Sequence, residues 1–282
     1  MGTRLDDITV ADNTALDALL EKVYLSSGYD FRRYRRGMVI RRLRRRLYTT
    51  GVTTCAGYMQ FLDTHPGEYQ RLAEDLTIKV SSFFRSPNTF RQVSRLVLPQ
   101  LASGRLRVWS TACANGEEPY SIAILLTSFL GNRDFKIYAT DISRRALQYA
   151  QAGIYKNIEG IPDTFSGYFT RCGDGYAVSD YIKQRVSFSY FDLVSTPTPP
   201  WVDIDCIFCC NVLIYLQRQL QEQVLGMLYN SLATSGYLIL GEAETPTASL
   251  CQRLKCIDTR ARIYIKAAPG SSQPGVSLKE RR

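Results

Sequence analysis

Val108-Trp-Ser-Thr-Ala-Cys-Ala-Asn-Gly-Glu-Glu-Pro-Tyr-Ser121 runs from a short apolar strand into a helix through small residues, and this junction decides the fold. In α/β proteins a ligand binds where a strand hands over to a helix. Ala112, Ala114 and Gly116 let a ligand approach the backbone, and Gly116 tolerates positive φ. Pro119 suits the first helical turn. A phosphate loop carries a lysine or an open helix N-terminus, whereas Glu117 and Glu118 repel phosphate and suit a cation. S-adenosylmethionine, a sulfonium that also bears an ammonium group, has that polarity.

A second apolar strand, Lys136-Ile-Tyr-Ala-Thr140, ends in Asp141, 25 residues beyond Gly116. An acidic residue at this point of a βαβ unit is placed to accept hydrogen bonds from ribose hydroxyls. Ser143 is expected to cap the next helix, which leaves Asp141 for a ligand.

Around this unit the chain divides in two. Residues 1 to about 100 have helical periodicity, with helices expected at 14–26, 36–48, 53–63, 67–78 and 87–101. From Arg105 strands and helices alternate. Strands are expected at 106–110, 136–140, 186–190, 204–209, 236–241 and 262–266, and helices at 118–130, 143–152 and 217–232. The pattern predicts a helical domain over 1–90 and a doubly wound α/β domain over 91–266. Gly173-Asp-Gly175 marks a β-hairpin inserted within 156–183. The turn-rich tail over 267–282 is expected to be disordered.

The 282 residues are 45% hydrophobic, enough for a real core. No run of about 18 apolar residues is present, so a soluble, cytoplasmic protein is expected, and a monomer, without membrane insertion. The eight cysteines lack the regular spacing of a disulfide framework. Cys206 and Cys209, in an apolar strand, read as small buried hydrophobes, and with a single histidine, His65, no metal site is expected. The net charge of +9 favours an acidic partner. Much of it lies between Phe31 and Thr50, which hold nine arginines and no acid. On a helical wheel Ile40, Leu43 and Leu47 share one face and Arg41, Arg42 and Arg45 the opposite one, predicting a packed helix with a basic ridge.

Three stretches carry a resemblance: Leu76-Thr-Ile-Lys-Val-Ser-Ser-Phe-Phe-Arg85, Arg107 to Ala123, and Ile207-Phe-Cys-Cys-Asn-Val-Leu-Ile-Tyr-Leu216. In order and spacing they resemble the CheR-type chemotaxis receptor methyltransferases, over about residues 10 to 266. The resemblance implies a class I methyltransferase-like α/β domain behind an all-helical N-terminal domain. It also implies S-adenosylmethionine as cofactor, S-adenosylhomocysteine as product, and transfer of methyl to glutamates on acidic cytoplasmic helices of chemoreceptors.

Residue by residue, the family's cofactor segment falls on Lys79, Ser81 and Arg85, with Lys79 in place of an amide. The ammonium-binding glutamate falls on Glu118 and the ribose-binding acid on Asp141. Asp192-Leu193 stand where the family has an adenine-side Asn-Leu, and Cys210-Asn211 where it has Arg-Asn. The tyrosine beside the reactive methyl falls on Tyr215, which with Arg85 is expected to serve catalysis. Arg41, Arg42 and Arg45 are expected to dock substrate. Two alternatives stay open: a nucleic-acid methyltransferase, which usually carries an Asn/Asp-Pro-Pro-Tyr/Phe segment after the fourth strand instead of Asn211-Val-Leu-Ile-Tyr215, and a cofactor-binding signalling module without catalysis.

Overall fold

The structure, a computed structural model, describes residues 13–77, 80–101, 105–131 and 133–267. Lys79, part of the expected cofactor segment, and the tail over 268–282 lie outside them.

Four helices form the first layer: α1 (Asn13–Ser27), α2 (Arg36–Thr50), α3 (Cys55–Thr64) and α4 (Gly67–Leu76). Their shared core takes Leu16, Leu19 and Val23 from α1 and Val39, Leu43 and Leu47 from α2. Tyr58, Leu62, Leu72 and Leu76 complete it. These positions recur at three- and four-residue intervals, the spacing of one helix face. Gly51, at φ +73°, ends α2 in the left-handed conformation, and the Thr54 side chain accepts the Gly57 N–H to start α3.

The arginine run is less open than its sequence suggests. Arg32 pairs with Asp30 and Glu21, Arg36 with Asp17, and Arg46 with Glu68 and Asp75, so acids distant in sequence supply what the run lacks. Glu68 is 2% exposed and also accepts the Tyr58 hydroxyl at 2.7 Å, which bolts α2 and α3 to α4.

After Leu76 the chain leaves this core. Phe83, Phe84, Phe90, Val93 and Val97 are buried in the α/β core instead. The single helix expected over 87–101 is a composite: α5 (Pro87–Gln92), a π-helical stretch over Val93–Val97 and a 3-10 turn over Leu98–Leu101. Pro99 has no N–H to continue an α-helical ladder, so the hydrogen bonds shift register here.

The second layer begins with β1 (Leu106–Thr111), α6 (Glu117–Leu130), β2 (Phe135–Asp141) and α7 (Arg144–Ala152). A small antiparallel sheet follows, from β3 (Ile154–Tyr155), β4 (Phe169–Cys172) and β5 (Gly175–Val178), in the order β3-β5-β4. The sequence pointed to the β4–β5 hairpin, whose turn holds Gly173 at φ +58°, but not to its third strand. Then come α8 (Asp180–Lys183), β6 (Val186–Tyr190), β7 (Ile204–Cys209), α9 (Arg218–Ser231), β8 (Leu232–Leu240), α10 (Ala248–Cys251), β9 (Leu254–Asp258) and β10 (Ile263–Lys266).

The main sheet runs β6-β2-β1-β7-β8-β10-β9, with β6, β2, β1, β7 and β8 parallel and β10 antiparallel to both neighbours. This is the doubly wound architecture expected, with β9 as a strand the periodicity did not predict. One core fills the face under α6, and a second packs Trp109, Ile207, Leu225 and Leu228 on the other. Cys206 and Cys209 are buried in β7 as apolar residues. Among the described residues no cluster of His, Cys, Asp and Glu is able to hold a metal, and no helix is long and apolar enough to cross a membrane.

Candidate active site

The connections from β1 and β7 leave in opposite directions, so a crevice opens beyond their C-terminal ends, where doubly wound sheets bind ligands. The loop over it is held tightly. Ala112 and Ala114 sit at φ +52° and +48°, conformations that cost an alanine on the order of 1 kcal/mol and persist only where the surroundings impose them. Here the Cys113 N–H donates to the Thr140 carbonyl at 2.9 Å and the Ala114 N–H to Asp141 Oδ2 at 2.8 Å. Gly116 adopts the positive φ the sequence allowed for, +93°, and has a packing role besides. A Cβ there would stand 2.7 Å from the Ala150 Cβ, so the glycine admits α7 against α6 and does not line the crevice.

The crevice widens into a cavity of about 880 Å³, counting its open mouth. Of the residues singled out from the sequence, Ser81, Arg85, Ala112, Glu118, Asp141, Cys210, Asn211 and Tyr215 line it together. Tyr34, Met38, Leu76 and Thr77 wall it from the helical layer, so both layers build the site.

Each polar side chain is held in place. Ser110 donates its hydroxyl to Glu118 Oε1 at 2.7 Å. Burial pushes the Glu118 carboxyl up to about 7, against the opposing Ser110 bond, with nearby Glu244 adding to the rise and the Arg85 guanidinium countering it. Burial also holds the Cys210 thiol well above its ordinary range, so it stays protonated. Asp141 accepts the Ala114 and Ser143 amides, one on each oxygen, while the Ser143 hydroxyl caps α7 through the Ala146 N–H, as expected. Burial raises the Glu117 carboxyl, with nearby Ser81 opposing the rise.

Arg85 is exposed at the rim, with Nη1 donating to the Val80 carbonyl at 2.9 Å. Left-handed residues flank it on both sides, Phe84 at φ +47° and Ser86 at φ +60°. The Phe84 N–H is tied to the Ser121 hydroxyl of α6 at 2.9 Å, which holds this turn against the sheet. Tyr215 ends a 3-10 turn over Leu213–Tyr215, next to Asn211 at φ +60°.

Three expected positions lie elsewhere. Asp192 is 5% exposed and turns its Oδ1 back onto the Val194 and Ser195 amides, organising its own loop, and Leu193 is buried in the core; neither lines the cavity. Arg42 is not on the ridge with Arg41 and Arg45. It is half-buried and reaches inward across the α2–α4 contact, donating from Nη1 to the Asp75 carbonyl at 2.7 Å. Arg41 and Arg45 are exposed, as is Arg44 beside them.

Two residues that the sequence did not single out matter here. Glu244, 3% exposed, accepts the Asn211 and Gly241 amides on Oε2 at 2.9 and 2.8 Å and the Ile214 amide on Oε1 at 3.2 Å. A Cβ on Gly241 would meet Oε2 at 2.7 Å, so the glycine three residues before a glutamate at a strand end was the available signal. Tyr34 carried none.

Comparison with known proteins agrees with this architecture. Residues 14–77 match the family described as CheR methyltransferase, all-alpha domain, and residues 79–263 the CheR methyltransferase, SAM binding domain. The chain is 33% identical to the chemotaxis protein methyltransferase of Escherichia coli K12 over 79% of its own length and 81% of that protein's. It is also 33% identical to chemotaxis protein methyltransferase 2 of Pseudomonas aeruginosa, over 79% and 84% of the two lengths. An uncharacterised 104.1 kDa protein of Rhodobacter capsulatus is 31% identical over 92% of this chain, which spans only 28% of that relative.

Proposed function

The chain belongs to the CheR methyltransferase family, and from that premise we propose that it transfers the methyl group of S-adenosylmethionine to glutamate side chains on acidic cytoplasmic helices of chemoreceptors, leaving glutamate methyl esters. The observation that carries this reading is a two-layer cavity that brings Glu118, Arg85 and Tyr215 together in its lining.

The residues present fit the cofactor. The donor set is acidic, as a ligand with an ammonium and a sulfonium requires: Glu118 would meet the ammonium and Asp141 the ribose hydroxyls, while Ala112 and Ala114 leave the backbone approachable. When bound, the cofactor supplies an electrophilic methyl group on sulfur.

The protein's own task is then positioning. A glutamate carboxylate is ionised at neutral pH and needs no general base. Its oxygen forms the new O–C bond as the C–S bond breaks, the bonding pair stays on sulfur, and no proton moves. Alignment of carboxylate and methyl removes on the order of 7–11 kcal/mol of barrier by effective-molarity arguments. Charge disappears in this step, so a strong carboxylate clamp would hold back the reaction. Arg85, solvent-exposed on a strained turn, orients the carboxylate weakly enough for transfer, and Tyr215 packs beside the methyl. Arg41 and Arg45, on the outer face of α2, receive the acidic substrate helix.

The test is transfer of labelled methyl from S-adenosylmethionine to a receptor cytoplasmic fragment, with the same fragment carrying glutamine at its methylation positions as control. Label on the first alone supports the reading; equal label on both, or label on added nucleic acid, overturns it.

A further inference from the structure

We propose that Tyr34, on the connector between α1 and α2, is a cofactor-binding residue of the helical layer, whose hydroxyl donates a hydrogen bond to the adenosine half of S-adenosylmethionine. The side chain packs against both layers at once, touching the core of the four helices and the sheet-side core that holds Trp109. The Phe31 ring lies 5.2 Å from it, centroid to centroid. It also walls the cavity together with Asp141, which ends β2, and Ile142 just after it.

Its position is fixed by the loop that carries Tyr215. Tyr34 pairs antiparallel with Leu216, the Arg35 N–H donates to the Tyr215 carbonyl at 2.8 Å, and the Gln217 N–H donates to the Arg33 carbonyl at 3.0 Å. The Gln217 side-chain amide adds bonds to the Arg32 and Tyr34 carbonyls, both at 3.2 Å. A residue pinned in this way presents its side chain already ordered, so little is lost in fixing it on a ligand.

The chemistry of that end of the cavity calls for a donor. Adenosine offers donors in its hydroxyls and exocyclic amine, and acceptors in its ring nitrogens and ribose oxygens. Asp141 only accepts, and the nearby Ala114 and Ser143 amides are already engaged on it. Asp192, where the family has an asparagine, has no amide to donate and is turned into its own loop. Among the described residues no hydrogen bond engages the hydroxyl of the half-buried Tyr34, which leaves it open to the cavity it lines. Burial, with the Asp192 and Asp141 carboxylates nearby, raises its pKa above the ordinary phenol range, so it remains protonated and able to donate.

The inference rests on cofactor binding and not on the identity of the methylated substrate, and truncating the ligand tests it separately. S-adenosylhomocysteine and 5′-methylthioadenosine share the adenosine half, but only the first carries the ammonium. Calorimetry on the full chain should show Tyr34→Phe weakening both ligands by a similar factor, about five- to tenfold. Glu118→Gln should weaken S-adenosylhomocysteine far more than methylthioadenosine. Wild-type affinity of Tyr34→Phe for both ligands, or a loss confined to S-adenosylhomocysteine, overturns the proposal. Fluorotyrosine at position 34 keeps the native side chain and supplies a measurement independent of folding losses. Its fluorine resonance should shift on titration with methylthioadenosine, and a resonance that does not move also overturns the proposal. A wild-type chain that binds neither ligand removes the methyltransferase reading itself, whereas failed transfer to receptor with both ligands bound leaves Tyr34 in place.

Discussion

Glu244 holds the backbone N–H of Asn211 at 2.9 Å, tying the exit of β8 to the loop that delivers Tyr215. Two more amides, of Gly241 and Ile214, end on the same carboxylate. Substituting Glu244→Gln puts an N–H₂ where at least one backbone N–H now finds an acceptor. The expected cost is about 2 kcal/mol of stability, since a buried donor loses its charged partner. As a positioning residue, Glu244 should also show its effect in turnover more than in binding. Steady-state kinetics should give a kcat drop of about tenfold or more, with S-adenosylhomocysteine affinity changed by less than about threefold. Equal losses in both would make it a merely structural buried acid.

With its carboxyl raised to about 7, Glu118 in its proposed role is expected to set the pH dependence of cofactor binding. An ammonium ligand stabilises the carboxylate, so binding near pH 6 must expel a proton. Affinity should therefore rise with pH, by up to about tenfold per unit, until the carboxyl has ionised, and level off above that point. Calorimetry of S-adenosylhomocysteine binding in two buffers of different ionisation enthalpy reads the proton directly. Glu118→Gln should abolish both the release and the slope between pH 6 and 7, and a wild-type chain that releases no proton at pH 6 would contradict the assignment.

Charge reversal at Arg41 and Arg45 together is expected to raise the KM for an acidic helical substrate severalfold while S-adenosylhomocysteine affinity stays unchanged. The effect should shrink with added salt, because exposed charges beyond about 8 Å are screened at physiological ionic strength. Arg42→Ala should behave differently: Arg42 holds the Asp75 carbonyl at the end of α4, so its loss lowers the melting temperature rather than substrate affinity alone. Substrate kinetics indifferent to both reversal and salt would remove the ridge from docking.

Local chemistry made much of this legible from sequence. The strand, the small-residue loop and the paired glutamates that open α6 are neighbours in the chain, so Ala112, Glu118 and Asp141 could be placed within one βαβ unit. Arg85 and Tyr215 were legible only through the family pattern, because 130 residues separate them and no periodicity relates them. Tyr34 and Glu244 escaped for a related reason: Tyr34 meets Leu216 through a backbone pairing, and the Glu244 carboxylate meets the Asn211 backbone N–H, neither of which side-chain patterning encodes. The helical wheel set Arg42 opposite the apolar face, but α4 packs against α2 and leaves the carbonyls at its C-terminal end within the arginine's reach. Asp192 was expected beside adenine, and in the structure its Oδ1 bonds its own turn, a second use of an aspartate after a strand that the sequence does not separate from the first.

Arg85→Ala and Tyr215→Phe are expected to lower kcat by about tenfold or more each, with S-adenosylhomocysteine affinity changed by less than about threefold, if both act, as proposed, where carboxylate and methyl meet. Parallel titrations and initial rates on the same preparations decide this. A loss of affinity matching the loss of rate would place both residues in cofactor binding alone.

The most direct test of the account is the chemical nature of the bond formed on a receptor cytoplasmic fragment by the full chain and methyl-labelled S-adenosylmethionine. A glutamate methyl ester is cleaved by mild alkali, so the label should leave the protein as methanol, with mass-spectrometric mapping placing it on glutamate side chains. Label that withstands alkali, or that sits on a nitrogen or on nucleic acid, would contradict the account.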